Sequence, residues 1–309
     1  MRRFAWVIAV ASIGSLILRA DDAFEFKDGD RVVLIGSTLI EREQRYGHWE
    51  AALVAALPEK NITFRNLGWS GDTVWGEARA IFDSPAVGYK RLIDHTLAEK
   101  PTVIIVGYGT NECFAGAKGL PAFTAQYVKL LNDLAPTRAR FILLTPVPYE
   151  FGPAADRNSD RQKYVDAIRE IAAKHKHYFA DVGGRIESRR SNTMAVLPPN
   201  TDNGIHLTEY GYRMTHEDFL GALGIRPWEG TPEALTRWRT RDAEKLRQTI
   251  IAKNELYFHR WRPQNVTYLF GFRNREQGNN AVEIPKFDPL IAEKEKEIAK
   301  LRKQAVQEK

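Results

Sequence analysis

The chain has 309 residues, 43% hydrophobic and 27% charged, which excludes a disordered or collagen-like protein and leaves room for a large α/β domain with extensions. Its single cysteine, Cys113, excludes an intramolecular disulfide framework, a cysteine-based zinc site and covalent c-type haem attachment. The net charge of +6 does not point to nucleic acid: residues 1–20 carry three arginines and no acid, residues 231–309 hold 17 Lys/Arg against 11 Asp/Glu, and residues 21–230 are left mildly acidic.

In chain order, the first element is a leader. Arg2 and Arg3 precede an apolar run from Phe4 to Leu18, followed by Arg19, Ala20 and the acidic pair Asp21 and Asp22. This is the layout of a secretory signal with cleavage after Ala20, giving an exported protein, periplasmic or extracellular. The apolar run is shorter than the roughly 20 residues of a spanning helix, so no stable membrane insertion is expected after cleavage.

Five short β-branched or aromatic runs then read as strands: Arg31–Gly36, Ile62–Leu67, Thr102–Gly107, Phe141–Thr145 and His177–Asp181. Amphipathic stretches at Gly47–Leu57, Val87–Glu99, Ala122–Ala135, Arg157–His175 and Glu209–Leu223 alternate with them as helices. This alternation predicts an α/β fold, a five-stranded parallel sheet covered by helices on both faces. Ligands in such sheets bind beyond the carboxyl ends of the strands.

After residue 230 the character changes. Pro232–Arg260 reads as one long charged helix carrying Leu235, Trp238, Leu246, Ile250 and Leu256. An aromatic, asparagine-rich stretch, Tyr257–Pro285, follows, expected either to strap over the main domain with its rings buried or to extend a polar-substrate pocket. Asp288–Lys309 has Ile291, Ile298 and Ala305 at heptad spacing among Glu and Lys, the pattern of a solvated single helix or a short coiled-coil seam; its apolar seam is too narrow to be drawn into a core, so a projecting helix offering a partner surface is expected.

The strand ends carry the chemistry. The first leads into Gly36-Ser37-Thr38, the second into Gly68-Trp69-Ser70-Gly71-Asp72, and the third into Gly107-Tyr108-Gly109-Thr110-Asn111-Glu112. Asp202-Asn203-Gly204-Ile205-His206 precedes the last helix of this region. Together they bring a hydroxyl, amide donors and an imidazole to one rim of one sheet, as acyl transfer requires. Ser70 reads as a loop residue, since it lacks the G-x-S-x-G spacing of a nucleophile elbow. Cys113 reads as a small buried residue. His175 and His177, without a carboxylate cluster, read as surface histidines rather than metal ligands.

With these four blocks in order over residues 24–224, the chain resembles the SGNH/GDSL hydrolase family. The resemblance implies a flavodoxin-like three-layer α/β/α fold, an ester substrate (a small molecule or an acylated carbohydrate) and no metal or cofactor. It assigns Gly71 and Asn111 to the oxyanion hole and His206 to catalysis. Thr38 stands where the family has its nucleophilic serine, Ser37 where it has aspartate, and Asn203 where it has the aspartate three residues before histidine; Asp202 lies one position further back. The nucleophile is thus Thr38 or Ser37, and the histidine's partner Asn203 or Asp202. Two functions follow, an exported ester hydrolase or a catalytically degenerate binding or scaffold module. The expected organisation is a signal peptide over 1–20, the hydrolase-like domain over 24–224, and an extension over 225–309. That extension is similar to segments following degenerate SGNH modules in exported proteins with c-type haem domains. No C-x-x-C-H occurs here, so a redox partner would be another chain.

Overall fold

The computed structural model describes residues 23–192, 197–225, 241–276 and 280–307. The expected leader over residues 1–20, and Leu235 and Trp238 of the long charged helix, lie outside the described residues.

All five strands form within one residue of the sequence reading: β1 (Arg31–Gly36), β2 (Thr63–Asn66), β3 (Val103–Gly107), β4 (Arg140–Leu144) and β5 (Tyr178–Ala180). They make one parallel sheet in the order β2-β1-β3-β4-β5. The chain winds outward from β1 in both directions, so the crevice between the ends of β1 and β3 is the switch point of the topology. Val32, Leu34, Val103 and Ile105 face one core; Val33, Ile35, Ile104 and Val106 face the other. Alternation along each strand thus feeds two apolar layers at once.

One layer is closed by α1 (Thr38–Tyr46), α2 (His48–Ala56), α6 (Val182–Ser191) and α7 (Glu209–Ala222), the other by α3 (Pro85–Ala98), α4 (Gly116–Leu134) and α5 (Asn158–His175). Two of these helices have no clear sequence signal. Helix α1 starts on Thr38 directly after a strand and reads locally as a turn, and α6 begins Val182-Gly183-Gly184. Asp181 caps α6 by accepting from the Gly184 N–H at 2.9 Å, replacing by capping what the glycines lack in propensity. Helix α1 lies close over the sheet because Gly36 and Gly107 pair in register; a Cβ on Gly36 would stand 2.5 Å from the Gly107 carbonyl and 2.6 Å from Ile40.

The extension departs from expectation. Helix α8 (Arg241–Trp261) and helix α9 (Phe287–Gln307) pack against each other along the β2 edge of the sheet. Leu246, Ile250, Ile298 and Leu301 enter one core, while Tyr257 and Ile291 enter the other. The last helix therefore does not project. Its seam is narrow, but α8 presents a complementary stripe, and two narrow stripes together exclude water where one would not. A buried ion pair holds the docking: Lys253 Nζ lies 2.5 Å from Glu50 Oε1 and also donates to the carbonyl of Phe64 at 3.3 Å, satisfying backbone on the edge strand. Arg65 of β2 pairs with Glu295 of α9 at 2.5 Å. The aromatic stretch is mixed: Tyr257 is buried and Phe258, Trp261 and Tyr268 half-buried, but Phe270 and Phe272 are exposed, so a strap burying all its rings is not what forms.

Candidate active site

The three blocks at the carboxyl ends of β1, β2 and β3 are linked by hydrogen bonds. Ser37 and Thr38 follow β1 at the start of α1. The Ser37 side chain is 1% exposed and its hydroxyl has no partner, whereas the Thr38 hydroxyl accepts from the Gly71 N–H at 3.2 Å. Gly71 sits in the left-handed region at φ 74, which any side chain would strain, and this turn aims its N–H at Thr38. Asn111 Nδ2 donates to the carbonyl of Asp72 at 2.8 Å, holding the third block against the second.

Beneath this layer lies a polar network. Glu112 accepts from the Val74 N–H at 2.8 Å and the Gly109 N–H at 2.9 Å, fastening the loops after β2 and β3 to each other. Burial pushes its carboxyl up to about 7. Asp72, fully buried, accepts from Arg79 Nε at 2.7 Å and from the Tyr108 hydroxyl at 2.9 Å, while Arg79 also donates to the carbonyl of Leu67 at 2.8 Å. Both loops that present amide donors are thus held from below, the preorganisation that an oxyanion hole requires.

His206 lies on a tight loop just before α7. Thr201 and Leu207 form an antiparallel bridge across it, and the Asp202 N–H donates to the His206 carbonyl at 3.1 Å. Glu150 straps this loop to the segment after β4 by accepting from the Thr201 N–H and hydroxyl, each at 2.8 Å. The loop is also fastened to α1. Arg42, one turn after Thr38, donates to Asp202 Oδ2 at 2.6 Å and to the Leu207 carbonyl at 3.3 Å, and the Tyr212 hydroxyl donates to the Leu39 carbonyl at 2.6 Å. Burial, then the Arg42 charge, holds the His206 imidazole below its ordinary range despite the opposing Asp202, so the ring is neutral at neutral pH.

The histidine's partner is Asn203. Its Oδ1 accepts from the N–H groups of Ile205 at 3.1 Å and His206 at 3.0 Å, and its Nδ2 lies 3.0 Å from His206 Nδ1. Those two backbone donors fix which end of the amide is which: turning it over would set NH₂ against two N–H groups. The asparagine therefore presents a donor to Nδ1, Nδ1 must accept, and the proton of the neutral ring sits on Nε2. Asp202 is committed to Arg42.

The other candidates resolve simply. Cys113 is buried, its thiol pushed up to about 11 by burial and lying 2.7 Å from the Tyr149 hydroxyl. His175 and His177 are half-buried and stacked with ring centres 6.1 Å apart. Among the described residues no group of three His, Cys, Asp or Glu could hold a metal ion, and no helix is long and apolar enough to cross a membrane. Ser70 is exposed, its N–H donating to Glu41 of α1.

The profile of the GDSL-like lipase/acylhydrolase family matches residues 30–214. The chain belongs to that family. Among solved structures, it is similar to an acetylxylan esterase, Axe2 from Geobacillus stearothermophilus, with 18% identity over 67% of this chain and 99% of that one, at a TM-score of 0.54. It is also similar to LAE5, an alpha/beta hydrolase from the metagenome of Lake Arreo in Spain, with 23% identity over 65% of this chain and 97% of that one, at a TM-score of 0.50. Crystal structures of Axe2 include catalytic mutants at a serine, an aspartate and a histidine, the last two three positions apart. No curated protein matches the chain.

Several residues that shape the site escaped the sequence reading. Arg42 stands four positions after Thr38 on one helix face, a spacing that could have flagged it. Arg79 carries no local signal, and Glu112, though visible at the end of the third block, gives no sign of its bonds to Val74 and Gly109. Arg262 comes from the extension: its guanidinium lies over the Trp69 ring, 3.4 Å from the centroid, and pairs with Glu41 at 3.2 Å.

Proposed function

We propose that the protein is an exported ester hydrolase acting on an acylated, carbohydrate-type substrate, with Thr38 as attacking hydroxyl, His206 as proton acceptor, and Gly71 N–H and Asn111 Nδ2 as oxyanion donors. The reading rests on family membership and, in the site itself, on the Thr38 hydroxyl lying against the Gly71 N–H. Export rests on the composition of residues 1–20, and the substrate class on the acetylxylan esterases that share the fold.

In the reaction, the ring first shifts to its minor tautomer, with the proton on Nδ1 and Nε2 bare; Thr38 Oγ1 then attacks the ester carbonyl carbon and its proton passes to His206 Nε2. The negative charge on the carbonyl oxygen is met by the two amide donors, and the same proton then leaves with the alcohol. Water repeats the sequence on the acyl-enzyme. Two features slow it. The threonine methyl restricts χ1, so fewer orientations aim the oxygen at the substrate. Asn203, in the position of the family aspartate, stabilises the ring tautomer whose Nε2 already carries a proton. In a serine-protease triad, the corresponding loss of the carboxylate costs about 10⁴ in turnover through the same tautomer fault.

The Asn203 orientation is also the observation that favours the second reading, a module that keeps the pocket to bind its ligand and no longer turns it over. Turnover of 4-nitrophenyl acetate by the mature protein and by His206→Ala separates the two. The hydrolase reading expects slow release of nitrophenol above background that disappears in the variant. Equal rates in both would leave the binding module.

A further inference from the structure

A groove of about 500 Å³ lies between the main domain and the extension, floored by Trp69 and walled by Phe82 on one side and by Phe258, Arg262, Asn265 and Tyr268 on the other. Its floor is continuous with the catalytic loop, since Trp69 precedes Ser70 and Gly71 and its N–H donates to the Gly36 carbonyl at 3.0 Å. This volume lies within the roughly 300–1,000 Å³ typical of small-molecule sites.

The wall bearing Phe82 is built at a cost. Ile81 adopts φ 60 and ψ −93, an unfavourable conformation for a β-branched residue, and the turn leaves Phe82 96% exposed. The turn is held rigidly. The Asp83 N–H donates to the Ala80 carbonyl at 2.8 Å, and Arg91 donates to the carbonyls of Arg79 at 2.8 Å and Ala80 at 2.9 Å while pairing with Asp83. A strained and clamped turn that presents a bare aromatic ring to solvent is a feature of binding surfaces rather than of packing. On the facing wall, Asn265 also stands in the left-handed region, at φ 60, and opens the short helical turn Val266–Leu269 that carries Tyr268.

The lining selects the ligand. Aromatic rings stand on both walls and on the floor, and the exposed amides of Gln264 and Asn265 lie at the rim. The guanidinium of Arg262 is neutralised by Glu41. Rings stack on the C–H faces of a pyranose, amides bind its hydroxyls, and the absence of an unpaired charge suits a neutral chain. An acyl tail would leave those amides unmatched.

We propose that this groove is a saccharide subsite, holding neutral pyranose units of the substrate while the acyl group enters the Thr38 pocket. The proposal rests on the hydrolase reading and makes the extension part of the binding surface. Xylotetraose and cellotetraose titrated calorimetrically into the full chain test it, with Phe82→Ala and Tyr268→Ala as variants and sedimentation of each protein alongside. One of the two sugars should bind, and each variant should weaken it about tenfold or more, the scale of one lost aromatic anchor. The thermal midpoint of Phe82→Ala should be unchanged, since that ring makes little contact with the fold. Absence of binding by either sugar in a protein that hydrolyses 4-nitrophenyl acetate would overturn the subsite and spare the hydrolase reading. Equal binding by parent and variants would overturn it by placing the sugar elsewhere, and a dimer that Phe82→Ala dissociates would make the groove a self-association face. Sugar binding that depends on Phe82, with no ester turnover by parent or Asn203→Asp, would uphold the subsite and remove the hydrolase reading.

Discussion

Replacing Asn203 with aspartate is expected to raise the turnover of 4-nitrophenyl acetate by between about 10²- and 10⁴-fold, the upper figure being the cost of the reverse change in a serine-protease triad. The substitution keeps the geometry. One carboxylate oxygen can still accept from the Ile205 and His206 N–H groups, as Asn203 Oδ1 does now, and the other replaces Nδ2 at 3.0 Å from His206 Nδ1. A carboxylate can only accept, so the ring proton moves to Nδ1 and Nε2 gains the lone pair that takes the Thr38 proton. The charge also stabilises the imidazolium formed in the transition state. The effect should appear mainly in kcat, because residue 203 acts through the His206 ring in this mechanism. Thr38→Ser added to Asn203→Asp should raise the rate further by freeing χ1. A folded Asn203→Asp protein with unchanged turnover would mean that the histidine does not serve as the base.

The second large effect is on stability. Arg79→Met should destabilise the protein by about 3–5 kcal/mol in urea unfolding, the usual cost of stranding one partner of a buried ion pair. Arg79 and Asp72 are both fully buried, joined at 2.7 Å, and Asp72 Oδ1 has no partner to take up the loss. The damage should spread to the site, because the carbonyl of the same aspartate anchors Asn111 and the lost guanidinium also held the carbonyl of Leu67. Adding Asp72→Asn should recover much of the loss, since a neutral amide is far cheaper to bury alone than a carboxylate. A loss below about 1 kcal/mol in the single variant would show that water reaches Asp72 and that the loops are held by other bonds.

The sheet is legible in the sequence because the strands are short β-branched or aromatic runs, most of them ending in glycine or a polar residue, a signal that needs no tertiary context. Helix α1 is not: a threonine just after a strand reads as a turn until Gly36 and Gly107 are seen to let the helix lie against the sheet. At the site, the residues are legible and their couplings are not. Sequence names Asp202 and Asn203 as rivals but does not decide between them, because the choice depends on Arg42 reaching across from α1 to take Asp202. Ser37 and Thr38 likewise differ by the Gly71 N–H, thirty-three residues further along the chain. The extension misleads for a related reason. The apolar seam of α9 is too narrow when taken alone, and the stripe of α8 that completes it begins more than forty residues earlier.

The proposed hydrolysis depends on the nitrogen on which the neutral His206 ring carries its proton, and the nitrogen shifts of that imidazole in selectively ¹⁵N-histidine-labelled protein read this directly. At a pH where the ring is neutral, Nε2 should appear as the protonated, pyrrole-type nitrogen and Nδ1 as the bare, pyridine-type one, with the two assignments exchanged in Asn203→Asp. Nδ1 protonated in the parent protein would contradict the assigned role of Asn203 and remove the tautomer from the proposed mechanism.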